Sequence, residues 1–317
     1  MDLSIVIPVY NEEESIHELS EWIERVCISH KLSFEIIFID DGSSDTTWER
    51  ITSLAQRKNF IKGLKFRRNY GKAAALHTGF SESSGDVVIT MDSDLQDSPD
   101  EIPELVRMIR EDGYDLVSGW KKKRYDPFIK RLTSRFYNGT ARFSSGIKLH
   151  DFNCGLKAYR NEVAKSIEVF GEMHRYIPML AKEAGFRNVG EKVVEHRTRK
   201  YGVTKYGVDR FVKGYLDLLT IGFITRFRKN PMHLFGSLGT IMFLIGFVMA
   251  GYLGIRKLVL IQQHMRIPLV TESPYFYIAL TVMVIGSILF LTGFLGELIN
   301  RTSSERNRYL IKDKVNI

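Results

Sequence analysis

"VVITMDSDLQDSPDE", Val87 to Glu101, is the stretch on which the reading of the chain turns. It begins as a strand buried on both faces, Val87 to Met91. Asp92, Asp94 and Asp97 then follow within six residues. Like charges so close repel one another, and a carboxylate buried without a partner costs several kcal/mol. A strand that ends in this way needs something positive at its tip.

Working outward, the same pattern recurs. "LSIVIPVY" (Leu3 to Tyr10) is a strand-length apolar run, and Asn11 with Glu14 has the spacing of a capping box at the start of a helix. Ile16, Leu19, Trp22, Ile23 and Val26 then recur at helical intervals. "FEIIFID" (Phe34 to Asp40), "IKGLKF" (Ile61 to Phe66) and "DVVITMD" (Asp86 to Asp92) read as further strands, with helices between them. Alternating strands and helices, the strands apolar throughout, predict an α/β fold: a Rossmann-like, mostly parallel sheet covered on both faces. Such sheets bind ligands beyond the carboxyl ends of their strands. Pro8 to Glu12, Asp40 with Asp41, and Asp92 to Asp97 all fall at such ends, so three acidic tips should meet at one crevice.

The 317 residues divide sharply by composition. Residues 1 to about 230 are mixed and charged. Two apolar runs of about 24 residues follow, Met232 to Ile255 and Tyr275 to Ile299, each long enough to cross a hydrocarbon core of roughly 30 Å. Two buried helices of a soluble bundle rarely run so long without a charge. The predicted organisation is a catalytic domain over 1–207, an amphipathic juxtamembrane helix over 208–230, a two-helix hairpin over 231–300 and a basic tail over 301–317. No basic n-region precedes the first strand. Arg226, Arg228 and Lys229 precede the first span, and Asn300 to Lys314 is again basic, whereas the loop between the spans carries only Arg256, Lys257 and Arg266. That asymmetry predicts a multi-pass membrane protein with the N-terminal domain and both termini cytoplasmic, which in a bacterial chain means the inner membrane. The net charge of +8 then suits anionic lipid and phosphorylated substrates rather than nucleic acid. Cys27 and Cys154, the only cysteines, are too few for a disulfide framework or a zinc site.

Taken singly, the tips are weak signals: Asn11 and Glu12 could cap a helix, and "IDDGSSD" could be an acidic turn. Together they are specific. Aspartates at i and i+2 can offer hard oxygen ligands to one Mg²⁺ or Mn²⁺, which also prefers phosphate oxygens. Such a cation would join the acids to a nucleotide diphosphate and neutralise the departing phosphate.

"VIPVYNEEE", "IDDGSSDTT", "RNYGKAAALHTGF", "MDSDLQDSPDEI", "DFNCGLKAYR" and "HRTRKYGVTKYG" occur in this order. They resemble the family 2 glycosyltransferases of GT-A fold. With two spans after them, they resemble the polyprenyl-phosphate branch, relatives of dolichyl-phosphate mannose synthase and of bacterial undecaprenyl-phosphate sugar transferases. The resemblance covers essentially the whole chain and implies roles. Pro8, Tyr10 and Glu12 match the segment holding base and ribose, and one of Asp40 and Asp41 faces the base. Asp92 and Asp94 match the metal-binding DxD motif, Asp94 the firmer ligand, with Gln96 beside the sugar phosphate. Asp151 matches the acid near the acceptor, often proposed as a base. Arg199 and Lys205 match a phosphate-engaging basic pair, with Thr204 where serine is usual.

The implied reaction is inverting transfer of a sugar from a nucleotide-sugar, UDP- rather than GDP-linked, to undecaprenyl phosphate. The acceptor is a monoester whose second pKa is about 6, so its oxygen is already largely anionic and Asp151 has little proton to remove. The harder task is bringing a dianion towards a diphosphate. The metal, Arg199, Lys205, and Arg131 with Arg135 on an aromatic-basic helix can supply the positive charge.

Two rivals compete with this reading. A transferase acting on another lipid or a polysaccharide would usually carry a Q-x-x-R-W motif and more spans, and neither is found. A membrane-tethered binding protein could share the fold, but it would not need the full set of acids and the basic loop. Trp22, on an apolar helical face, reads as core, Cys154 as a packing residue, His77 and His174 as structural or surface groups, and Trp120 as a border of the sugar pocket. Gly236, Gly239, Gly246, Gly251 and Gly254 would permit close helix contact, including the contacts of a homo-oligomer.

Overall fold

A computed structural model of the chain describes residues 1–122, 138–139, 141–142, 145–171, 173–198, 200, 231–263, 269–302 and 311–316. Arg131, Arg135, Arg199, Lys205 and the expected helix over 208–230 lie outside the described residues. The chain divides into two compact units, Met1–Leu219 with Arg306–Ile317, and Thr220–Glu305.

The first unit is built on an eight-stranded sheet. Its strands are β1 (Leu3–Val9), β2 (Phe34–Asp40), β3 (Ile61–Phe66), β4 (Val87–Thr90), β5 (Leu116–Trp120), β6 (Lys157–Arg160), β7 (Val189–Val193) and β8 (Ile311–Val315). Their spatial order is β7-β5-β6-β4-β1-β2-β3-β8. β1 pairs in parallel with both β2 and β4, and β2 with β3. β6 runs antiparallel between β4 and β5, and β8 antiparallel along β3. The sheet is therefore mixed, its parallel centre flanked by antiparallel additions. β8 is an element the sequence pattern does not announce: part of the basic tail covers an otherwise open edge.

Helices α1 (Ile16–Ser29), α2 (Thr47–Arg57), α3 (Lys72–Glu82) and α4 (Ile102–Arg110) connect the strands, and α5 (Asn161–Ser166) and α6 (Ile177–Glu183) follow β6. Strand residues alternate between the two faces. Ile36 and Phe38 pack with Leu19 and Ile23 of α1, whereas Ile37 and Ile39 pack with Ala74 and Ala75 of α3. Both sets are fully or almost fully buried. Each large aliphatic side chain so placed contributes ~1.5–3 kcal/mol, which is why the strands read as unbroken apolar runs.

One expectation fails at the first crossover. Asn11 does not cap α1, which begins at Ile16 after Ser15. Asn11 instead adopts a left-handed φ of 52°, a conformation asparagine tolerates better than most residues. Its Oδ1 accepts the Ser44 N–H at 2.8 Å, and its own N–H donates to Ser43 Oγ at 2.9 Å. A tertiary bond between strand tips has replaced the local cap.

The second unit contains α7 (Pro231–Gln262) and α8 (Pro274–Thr302). Their apolar stretches have mean hydropathies of 2.0 and 2.4, and only 11% and 17% of the two windows is buried. Such exposure is wrong for the core of a soluble bundle and right for helices in contact with lipid, so both are candidate membrane spans. α7 continues beyond the apolar run, so Arg256 and Lys257 lie on the helix rather than in the loop; Arg266 lies outside the described residues. The helices meet through small residues. A Cβ at Gly239 would stand 2.5 Å from the Gly286 carbonyl oxygen, and one at Gly246 would stand 2.6 Å from that of Ala279. A Cβ at Gly251 or Gly254 would meet nothing within 4 Å, so these two glycines are not part of the seam.

Candidate active site

The parallel register sets the geometry of the crevice. Val9 pairs with Asp40 and Val6 with Thr90, so β4, β1 and β2 end side by side in the same direction. The segments 10–13, 41–46 and 91–98 leave from one edge of the sheet.

The β1 and β2 tips are laced together. Besides the Asn11 bonds, Glu12 N–H donates to Thr47 Oγ1 at 3.0 Å, and Glu13 accepts the Thr46 N–H at 2.9 Å. Pro8 is the penultimate residue of β1, and Tyr10 beyond it is 38% exposed. Asp40 and Asp41 are both buried. Asp40 accepts the Ser43 N–H at 2.8 Å and lies 3.7 Å from Lys65 Nζ. Asp41 accepts the N–H groups of Tyr70 at 2.7 Å and Gly71 at 2.9 Å, clasping the turn before α3. Burial pushes the Asp41 carboxyl up to about 6, those two N–H groups pull it back, and Asp40 adds to the rise. Both carboxylates are thus engaged in holding the β2 tip and the turn before α3.

The β4 tip holds the three acids with which the reading began, and lysines stand beside two of them. Lys72, the first residue of α3, donates to Asp92 Oδ1. Lys121, just after β5, lies 2.6 Å from Asp97, whose carboxylate is fully buried. A third lysine, Lys157 of β6, is buried and donates to the Cys154 carbonyl. Burial opposes ionisation of Asp92, but Lys72 and Lys121 outweigh it and hold its carboxyl well below the usual range. Asp94 forms no ion pair among the described residues and feels Lys121 only weakly. It accepts the Gln96 N–H at 3.2 Å, and burial together with the charges of Asp92 and Asp97 raises it to about 6. Leu95, between them, is buried at a φ of 59°. That left-handed conformation is costly for a branched residue and persists only where the surroundings over-determine it.

Those surroundings are the segment after β7. Asp97 forms an antiparallel bridge with His196, Arg197 N–H donates to the Gln96 carbonyl at 2.9 Å, and Gln96 Nε2 donates back to the Arg197 carbonyl at 3.3 Å. The Arg197 guanidinium lies 4.4 Å over the Trp22 ring, and Trp22 Nε1 donates to Asp100 at 3.0 Å. Trp22 is therefore more than the core residue its spacing implies. Its buried edge packs in the core, while its face and its N–H anchor the strap that holds the acidic loop.

Asp151 is buried. Its Oδ1 accepts the Asn153 N–H at 3.0 Å, and Ser118 Oγ donates to its carbonyl at 3.2 Å. Glu191 of β7 accepts the N–H groups of both His150 and Asp151, at 2.7 and 3.0 Å. Trp120 stacks on His150, ring centroids 4.1 Å apart. Cys154 is buried, its thiol pushed up to about 12 by that burial, which makes it a packing residue and not a nucleophile. Burial likewise keeps His174 well below the ordinary histidine value.

Sequence reasoning missed Lys72, Lys121, Lys157 and Glu191. Three unpaired acids were themselves the signal for the lysines; nothing in the spacing says which lysines answer. Among the described residues no three His, Cys, Asp or Glu side chains form a complete metal site. The arrangement nonetheless fits a hard divalent cation. Asp92 and Asp94 lie on one loop beside the crevice, Asp94 in excess negative charge, and Mg²⁺ or Mn²⁺ commonly takes its remaining ligands from water and phosphate.

The family model "Glycosyl transferase family 2" matches residues 4–168. A dodecaprenyl-phosphate galacturonate synthase of Rhizobium johnstonii is 34% identical over 95% of this chain and 88% of its own length. An undecaprenyl-phosphate 4-deoxy-4-formamido-L-arabinose transferase of Edwardsiella ictaluri is 35% identical over 99% of this chain and 94% of its own. Among solved structures, glucosyl-3-phosphoglycerate synthase of Mycobacterium tuberculosis, in complex with Mn²⁺ and UDP-glucose, superposes with a TM-score of 0.55 at 20% identity, covering 71% of this chain and 78% of that one. That likeness shows a shared GT-A fold. With the family model spanning half the chain and relatives similar along almost all of it, this chain belongs to glycosyl transferase family 2 and is a glycosyltransferase.

Proposed function

We propose that the enzyme transfers a sugar from a nucleotide-sugar, UDP-linked in preference to GDP-linked, to a polyprenyl phosphate such as undecaprenyl phosphate at the cytoplasmic face of the inner membrane. The product is a polyprenyl-phosphate monosaccharide. One observation carries this reading: three parallel strands, β4, β1 and β2, end together in acidic and polar tips in a chain that also has two lipid-compatible helices. The relatives named above support the acceptor class.

In this reading Tyr10 offers its exposed ring to the base, with Pro8 and Glu12 beside it and Asp40 and Asp41 as the wall. Asp92 and Asp94 would hold the Mg²⁺ or Mn²⁺, with Gln96 beside the sugar phosphate. When bound, the cation supplies neutralisation of charge on the leaving diphosphate. The acceptor phosphate oxygen attacks the anomeric carbon once, the bond to the diphosphate breaks, and the centre inverts. No protein group need abstract a proton, because the acceptor is ionised at neutral pH. Asp151, held by Glu191 and Asn153, serves to position the acceptor side of the crevice. Arg199, Lys205, Arg131 and Arg135 provide positive charge for the acceptor phosphate, and the chain works as a homo-oligomer.

The test is transfer of radiolabelled sugar. Purified protein in detergent receives Mg²⁺ or Mn²⁺, undecaprenyl phosphate and each common UDP- or GDP-sugar in turn. Label entering the lipid phase with one donor, dependent on metal and abolished in folded Asp94→Asn, is the expected result. Transfer undiminished in Asp94→Asn, or no transfer by folded enzyme with any donor, overturns the reading.

A further inference from the structure

The closed pair of Lys72 and Asp92 has a consequence for how a cation enters. The Asp92 carboxylate lies flat against Gly155: a Cβ there would stand 2.4 Å from Oδ2 and 2.6 Å from Cγ. On its other side Oδ1 accepts the Lys72 ammonium. The two side chains remain about one-third exposed, at 33% and 32%, in contrast to Asp97, which is sealed from solvent against Lys121. Gly155 closes one face of Asp92, and Lys72 holds Oδ1 while both side chains stay within reach of solvent. A divalent cation binding through Oδ1 competes with the lysine for it.

Charge makes the exchange necessary in both directions. Without a cation, Asp92, Asp94 and Asp97 need Lys72 and Lys121 to offset their repulsion. With a cation on Asp92 and Asp94, an ammonium left facing it would repel it, while a diphosphate arriving with the cation would offer anionic oxygens that attract the ammonium.

We propose that Lys72 is an exchangeable counter-ion: it neutralises Asp92 in the cation-free enzyme, yields that carboxylate to the divalent cation, and then donates its ammonium to the diphosphate of the donor. This rests on the reading of Asp92 and Asp94 as the metal ligands. It makes Lys72 a catalytic residue that the motif reading does not assign.

The experiment measures Mn²⁺ binding to the purified full-length protein in detergent, without nucleotide, from the electron paramagnetic resonance signal of free Mn²⁺. Wild type, Lys72→Met, Lys72→Gln and Asp94→Asn are compared, with the thermal transition of each recorded to establish folding. Removing a partly exposed competitor should tighten Mn²⁺ binding about five- to tenfold in both Lys72 variants. In transfer assays the same two variants should show a raised KM for the donor and a lowered kcat. Mn²⁺ binding that is lost in Asp94→Asn but unchanged or weakened in the folded Lys72 variants overturns the exchange alone. Wild-type binding no stronger than that of Asp94→Asn overturns the metal reading, and the exchange falls with it.

Discussion

Lys121→Met tests whether the buried pair at the base of the acidic loop holds that loop together. Asp97 has no exposed surface, and Lys121, its charge partner at 2.6 Å, is only 12% exposed. Methionine keeps the aliphatic stem and removes the ammonium. The carboxylate then stays buried without compensation, a situation that costs about 3–5 kcal/mol. For a unit of this size, with about 2–4 °C lost per kcal/mol, the melting temperature should fall by roughly 6–20 °C.

The assay can be confined to the catalytic unit, because Trp22, Trp48 and Trp120, the only tryptophans, all lie there. Their fluorescence during thermal unfolding in detergent reports that unit and not the membrane helices. Asp97→Asn combined with Lys121→Met removes both charges. It should recover about 2 kcal/mol or more of the loss, since neither buried charge is then left alone. A single variant melting within about 3 °C of wild type, or a double variant no more stable than the single, would refute the argument that the pair carries this stability.

Two further outcomes follow from the same geometry. The Asp41 carboxyl, ordinarily near 3.8, is held at about 6 in the folded chain, so ionising it opposes folding; its stabilisation is complete below about pH 4 and is lost as pH rises through about 6, in total about 3 kcal/mol. Asp41→Asn lacks this dependence, so its stability relative to wild type should improve from pH 4.5 to about 6.5 in thermal melts and then level off, and a constant difference from pH 4.5 to 6.5 would show the linkage to be absent. Trp22→Leu keeps an apolar side chain but loses the Arg197 stacking and the bond to Asp100, together about 1–2 kcal/mol; amide hydrogen exchange at Gln96, Asp97 and Arg197 should quicken about 5- to 30-fold, while unchanged exchange would show that Trp22 does not anchor the strap.

What the sequence made legible was whatever depends on period and order. The apolar runs at Leu3, Phe34, Ile61 and Val87 became β1 to β4, because a strand covered on both faces must be apolar throughout. The two long runs after Met232 became exposed helices because no other structure suits them. What stayed hidden depends on tertiary pairing. β8 could not be foreseen in a basic tail, since its partner β3 lies some 250 residues away in sequence. Asn11 carries a sound local capping signal, yet Ser43 and Ser44 compete for it and prevail. Trp22 has helical core spacing, and no periodicity could add that Arg197 would lie on its face.

The three acids at the β4 tip show the same divide between pattern and pairing, and they give it a functional meaning. The sequence states that Asp92, Asp94 and Asp97 need positive charge, and it does not distinguish among them. The fold does. Asp97 is sealed against Lys121 and tied through its backbone to His196, so its charge is spent on holding the loop. Asp92 is paired with Lys72 where solvent can still reach both. Asp94 forms no ion pair among the described residues, and burial with Asp92 and Asp97 raises it to about 6 against the weaker pull of Lys121. The residues are thus graded from sealed, through paired but partly exposed, to least compensated. A site built only for stability would pair all three, because burying an uncompensated carboxylate is a pure loss. Leaving one poorly compensated and a second paired within reach of solvent suits the proposed site, where a cation and a diphosphate would arrive and depart at every turnover. That gradation, more than the presence of the DxD spacing itself, favours an active transferase over a binding protein that has kept the fold and lost the chemistry.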